Sequence, residues 1–143
     1  MKEVRIEDWL LNIEVEKTAA MYEDVTEVCD CQYCKNFRKA SLALDKEVLH
    51  FCNVLGLDIH KPSAINAFPV EGEQVMYSGH YTICGEIIAG ELEAWDKVVG
   101  AHCFSLIEKD DQKPKLDTEP HIHIGFEVVL QWQLPESIEL IEK

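Results

Sequence analysis

The chain has 143 residues, 47% hydrophobic and 28% charged, a length and balance that fit one domain spanning 1–143 and argue against intrinsic disorder. Thirteen basic residues against 27 acidic ones leave a formal net charge of −14. Such a field repels nucleic-acid phosphates and anionic lipid headgroups, so neither nucleic acid nor a membrane is an expected partner.

The charge is unevenly spread. Residues 1–34 carry three basic and nine acidic side chains, residues 35–62 five and three, and residues 63–143 five and fifteen. Only Lys35, Arg38 and Lys39 could begin a basic patch. The acidity reads either as solubility or as a surface for a basic protein partner, with mimicry of nucleic acid as one form of the latter. Met1-Lys2-Glu3 leads into alternating charges and not into the apolar run that secretion needs. The longest apolar stretches fall far short of the ~20 residues that span a bilayer. A cytoplasmic location is expected, with the six cysteines as reduced thiols or metal ligands.

In chain order, Trp9, Leu11, Ile13 and Val15 alternate with mainly polar residues, which predicts a half-buried strand. Thr18 is placed to cap a short helix running to about Asp24. Val28 to Cys34 is an irregular, cysteine-rich segment. Phe37, Ser41, Leu44, Val48, Phe51 and Leu55 then fall at steps of four and three, an apolar stripe that predicts helix facing the core. Gly56 sits where a helix ends in the left-handed conformation, with Leu57 for the accompanying apolar contact. Asp45 could cap a second helix, so one long helix or two short ones fit residues 35–56.

From about Val75 the pattern turns to strands. Val75, Tyr77, Tyr81, Ile83 and Ile87 share one parity, with Ser78-Gly79 read as a tight turn or bulge. Phe104 and Leu106 mark a strand near residues 101–108, and Lys109 to Pro120 reads as a charged loop. Ile122, Ile124, Phe126, Val128, Leu130 and Trp132 form the core face of a last strand, which Pro135 stops. The order predicts an α+β fold, an antiparallel sheet packed on one or two amphipathic helices from the N-terminal half.

The densest chemistry is Cys29-Asp30-Cys31-Gln32-Tyr33-Cys34. Cys31 and Cys34 have the spacing that brings two thiolates to one zinc ion, with Cys29 as a third ligand. A fourth would come from Asp30, water, Cys84 or Cys103. A continuous helix would carry Cys52 about 27 Å away and exclude it, together with His50. Thiol exchange is a second use, since Cys34 lies near a helix N-terminus beside Lys35 and Arg38. Simple packing of small apolar side chains is the third. His121 and His123 share one face of the last strand with Glu127, a set that could bind a metal or simply face solvent. His80 and Cys84 lie about 13 Å apart along a strand, too far to share an ion without a bulge. No nucleophile elbow, phosphate-binding glycine loop or H-E-x-x-H motif is present.

Five segments taken together carry a resemblance: Asp8-Trp9; Cys29-x-Cys31-x-x-Cys34-x-Asn36-Phe37; Gly56-Leu57-Asp58 with Lys61-Pro62; Tyr77-x-Gly79-x-Tyr81-x-x-x-Gly85-x-Ile87; and Gln131-Trp132-x-Leu134-Pro135-Glu136. In that order the chain resembles a family of small uncharacterised bacterial proteins, over nearly its whole length. The resemblance implies only a single small α+β domain, with the cysteine block as its most recognisable part, and brings no activity to transfer.

Two functions fit. The first is a non-enzymatic, partner-binding protein whose cysteine block is structural or binds zinc. The second is an enzyme using a metal or a reactive thiol at Cys29, Cys31 and Cys34, or a metal at His121 and His123.

Overall fold

The computed structural model describes residues 2–24, 31–41, 45–95, 97–107 and 121–135. Its elements are β1 (Lys2–Ile6), β2 (Trp9–Ile13), α1 (Val15–Glu23), α2 (Gln32–Ala40), α3 (Lys46–Leu55), β3 (Ala64–Val70), β4 (Gln74–Ala89), β5 (Lys97–Val99), β6 (His102–Ile107) and β7 (His121–Gln131). The fold is α+β. One seven-stranded sheet runs β1-β2-β4-β7-β6-β5, with β3 also paired to β4. All the strand pairs are antiparallel, and one isolated parallel bridge joins Leu92 to Leu106.

The long strand β4 organises the sheet. Its alternation buries Val75, Tyr77, Tyr81 and Ile83 on the helix side. Its register with β7 runs unbroken from Gln74↔Gln131 to Cys84↔His121. The turn or bulge expected at Ser78-Gly79 is therefore absent, and both residues lie mid-strand. Gly79 has a different cause: a Cβ there would collide with the Ala64 carbonyl of β3.

The other edge of β4 is shared. β3 pairs its residues 74–80, and β2 pairs residues 85–89. Helix α1 fills the gap between them. The Tyr22 hydroxyl donates to the Thr82 carbonyl at 2.9 Å and accepts the Thr82 N–H at 3.1 Å. The Thr18 hydroxyl accepts the Cys84 N–H at 3.0 Å, and the Glu14 N–H donates to the Cys84 carbonyl at 2.9 Å. Buried backbone groups need such partners, and here a helix supplies them.

The sheet curls around α3. Asp8, in the β1–β2 turn, meets Lys97 on β5 with Oδ1 and Nζ 2.6 Å apart, although five strand pairings separate β1 from β5. Lys97 is 2% exposed, and its ammonium also lies 5.5 Å from the centre of the Trp9 ring. This contact holds the Asp8 carboxyl below its usual range. Phe51 of α3 lies in the concavity, stacked on Phe104 at 4.3 Å and tilted against Trp9 at 6.4 Å. Farther along, Phe37 of α2 packs on Tyr77 and Phe126.

The stripe from Phe37 to Leu55 belongs to two helices, and Phe37, Ser41, Val48, Phe51 and Leu55 are all buried. Leu44 lies outside the described residues. Asp45 holds the backbone position that begins α3, without a side-chain cap bond. Gly56 ends α3 at φ 80°, and the Leu57 N–H returns to the Cys52 carbonyl at 3.1 Å. Three expectations change. Thr18 lies inside α1 and not at its cap, because its hydroxyl bonds the Glu14 carbonyl behind it and the Cys84 N–H across the gap. Val15 belongs to α1, so β2 ends at Ile13. β1, β3 and β5 were not expected; they lie at sheet edges and hold at most one fully buried residue each.

Candidate functional site

Cys29 lies outside the described residues, as does Asp30. Cys31 begins α2 from an extended conformation, and its sulfur accepts the Cys34 N–H at 3.4 Å. It thus acts where a serine or aspartate usually caps a helix. Cys31 is exposed and Cys34 buried. The helix start is tied to the end of β7. The Tyr77 hydroxyl donates to the Tyr33 carbonyl at 2.6 Å. The buried Asn36 amide donates to the Tyr77 hydroxyl and to the Gln131 carbonyl, each at 3.2 Å, while its oxygen accepts the Gln133 N–H. Burial pushes the Tyr77 phenol up to about 12, which keeps it a donor.

Among the described residues no three His, Cys, Asp or Glu side chains converge on a point that could hold a metal. Cys84 and Cys103, named above as possible further ligands, lie in β4 and β6, and the Cys103 thiol donates to the Trp95 carbonyl at 3.0 Å. Cys52 lies in α3, where burial pushes its thiol up to about 12. The continuous helix invoked to separate it from the block does not exist, since α2 and α3 are distinct.

His121 and His123 are half-buried on the sheet face that points away from the helices. They do not stand alone there. The His123 ring stacks on His80 of β4, with centroids 4.4 Å apart and planes 20° apart. The pairing Thr82↔His123 and His80↔Gly125 makes them diagonal neighbours. Sequence reasoning compared His80 with Cys84 along one strand and missed this cross-strand partner, which only the β4–β7 register reveals.

The same outer face carries an apolar row. Phe68 pairs with Met76, and Met76 with Val129, so the three side chains stand side by side across β3, β4 and β7. Phe68 is 52% exposed, Val129 45%, and nearby Val70 41%. Glu71 and Glu73 follow in the β3–β4 turn, and exposed Glu127 lies in the adjoining row opposite Ser78. No ion pair to these three carboxylates occurs among the described residues. Pro69 interrupts the outer edge of β3 and removes one donor from it, which blunts strand pairing there.

On the helix side, a cleft of about 470 Å³ opens between α1, α3 and residues 57–61. Asp58 Oδ1 accepts the His60 N–H at 2.9 Å and lies 3.3 Å from His60 Nδ1. Lys61 donates to the Tyr22 carbonyl at 2.9 Å. His60 Nε2 is buried without a hydrogen-bond partner. Elsewhere His102, fully buried against Phe104, leaves both ring nitrogens unpartnered, and burial pushes its pKa down to about 4. Nothing in the local sequence around His60 or His102 marked either residue.

None of the described helices is long and apolar enough to cross a membrane. No family model, curated protein or solved structure matches the chain.

Proposed function

We propose that this protein is a non-enzymatic binding domain that docks a basic, apolar-bearing segment of a protein partner on the outer face of its sheet. The carrying observation is the Phe68–Met76–Val129 row, aligned across three strands and exposed at both ends. A contiguous apolar surface rimmed by charge is the usual mark of a protein contact. Here the rim is acidic, from Glu71, Glu73 and Glu127, and the chain as a whole carries −14. Lysine or arginine flanking an apolar anchor would complement both features and speed encounter. The cysteine block then has an architectural task, with Cys31 capping α2 so that Tyr33 and Asn36 meet Tyr77 and β7.

A titration followed by amide NMR tests this, using a short peptide of alternating lysine and valine and its glutamate–valine counterpart. Saturable shifts around Phe68, Met76 and Val129 are expected with the lysine peptide only, weakened by salt and by Phe68→Ser. Phe68 is half-exposed, so the substitution leaves the fold intact. Shifts scattered over surface carboxylates, or unchanged by Phe68→Ser, would contradict the reading.

A further inference from the structure

β1 is an open sheet edge. It pairs with β2 on one side, and among the described residues no strand pairs with the other. β5 meets the turn at Asp8 but does not pair with β1. The remaining edges are blunted or brief: β3 carries Pro69, and β5 is three residues long. β1 runs five residues, Lys2-Glu3-Val4-Arg5-Ile6, with no proline and no break in its register with β2.

The hairpin fixes which backbone groups of β1 point outward. Ile6 pairs with Trp9 across the tight turn Glu7-Asp8, in which Glu7 takes φ 52°. The residues that flank such a turn are hydrogen-bonded to each other. Ile6, Val4 and Lys2 therefore direct their N–H and C=O groups to β2, while Glu3 and Arg5 direct theirs to the open edge. Neither Glu3 nor Arg5 makes a backbone hydrogen bond outside the hairpin, or an ion pair, among the described residues. Both side chains are exposed, on the face opposite buried Val4. A row of unmet backbone groups is a template for another strand.

β1 is complementary to itself. Laid antiparallel on a second β1 with Val4 opposite Val4, Glu3 faces Arg5 and Arg5 faces Glu3. These two pairs then take the hydrogen-bonded positions, with two bonds in each, and the Val4 pair takes the position between them. That matches the direction in which each backbone already points. Opposite charges directly across two strands stabilise, and like charges destabilise. Centring on Glu3 or on Arg5 would also align outward groups, but it would set Glu3 on Glu3 or Arg5 on Arg5. Charge also favours the place. Two chains of −14 repel each other, yet β1 holds two basic side chains, Lys2 and Arg5, against one acidic, Glu3.

We infer that the chain forms a twofold dimer by antiparallel pairing of β1 with β1 of a second copy, which joins two seven-stranded sheets edge to edge. The interface is short, so association is weak and concentration-dependent. It uses none of the residues of the Phe68 row.

Sedimentation equilibrium of the whole chain, from about 10 µM to about 1 mM, reads the association. The wild type is expected to pass from monomer to dimer over this range, and amide exchange at Glu3 and Arg5 should slow as it does. Glu3→Lys leaves a cation opposite Arg5, and Arg5→Glu leaves a carboxylate opposite Glu3. Each should weaken self-association about thirtyfold, because both cross-strand pairs turn from attractive to repulsive. An equimolar mixture of the two variants should dimerise as the wild type does, since each chain supplies the charge that the other lacks. Both side chains are exposed, so the variants keep the fold. Phe68→Ser should leave the dimer unchanged. A wild type that stays monomeric throughout would overturn the inference. So would a dimer indifferent to the two reversals, a mixture no tighter than either variant alone, or a dimer lost in Phe68→Ser.

Discussion

The Tyr22 hydroxyl meets Thr82 as a strand would, giving a hydrogen bond to its carbonyl and taking one from its N–H. One side-chain atom thus closes part of the β4 edge that neither β2 nor β3 reaches. Burial raises the Tyr22 phenol well above its ordinary value, so it remains a donor wherever the protein is folded. Tyr22→Phe keeps the ring and removes both bonds. It should cost about 2–4 kcal/mol in denaturant melts, because two backbone groups lose their partner. A loss well under 1 kcal/mol would mean that water fills the gap.

Phe51→Ala should cost about 3–5 kcal/mol, since the ring bridges Trp9 and Phe104 at the centre of the curl. Denaturant melts measure it directly. The nearby exposed Leu49→Ala should cost far less and serves as the control for helix propensity.

What could be read from sequence follows from how each element is buried. The stripe from Phe37 to Leu55 and the alternation of β7 were legible because one face of each meets the core and the other does not. The Gly56 cap was legible because few other residues take φ 80° without strain. β1, β3 and β5 were not, because edge strands bury few apolar side chains and so leave no period. The functional features were harder still. The His80–His123 stack, the Phe68–Met76–Val129 row and the Tyr22–Thr82 bridge all join residues from different elements, so no local spacing encodes them. The cysteine block stood out in sequence, yet what is visible of it is a helix cap.

That cap is testable by conservative exchange. Cys31→Ser keeps an acceptor for the Cys34 N–H and should leave stability nearly unchanged, whereas Cys31→Ala should cost about 1 kcal/mol. Thermal melts of the two variants give the comparison. A Cys31→Ser protein destabilised as much as Cys31→Ala would show that the sulfur does something other than cap.

His102 makes stability depend on pH. Burial lowers its folded pKa from 6.5 to about 4, with Asp45 opposing in part. The unfolded chain therefore binds the proton first. The contribution is fully present above pH 6.5 and is lost progressively as pH falls toward about 4. A shift of this size corresponds to a loss on the order of 3 kcal/mol at the acid end. His102→Leu removes the titrating group, so its stability should fall less than that of the wild type over the same interval. Parallel pH profiles for the two proteins would contradict this.

The docking face is tested most directly inside cells by a photo-crosslinking phenylalanine analogue at position 68, with Leu92 as control. Leu92 is exposed and lies beyond the opposite end of β4 from Met76, the partner of Phe68. Adducts from position 68 should map to a polypeptide segment with lysine or arginine beside the cross-linked residue, and Val129→Glu should abolish them. Adducts absent at position 68, shared equally with position 92, or mapped to acidic segments would contradict a basic partner on this face.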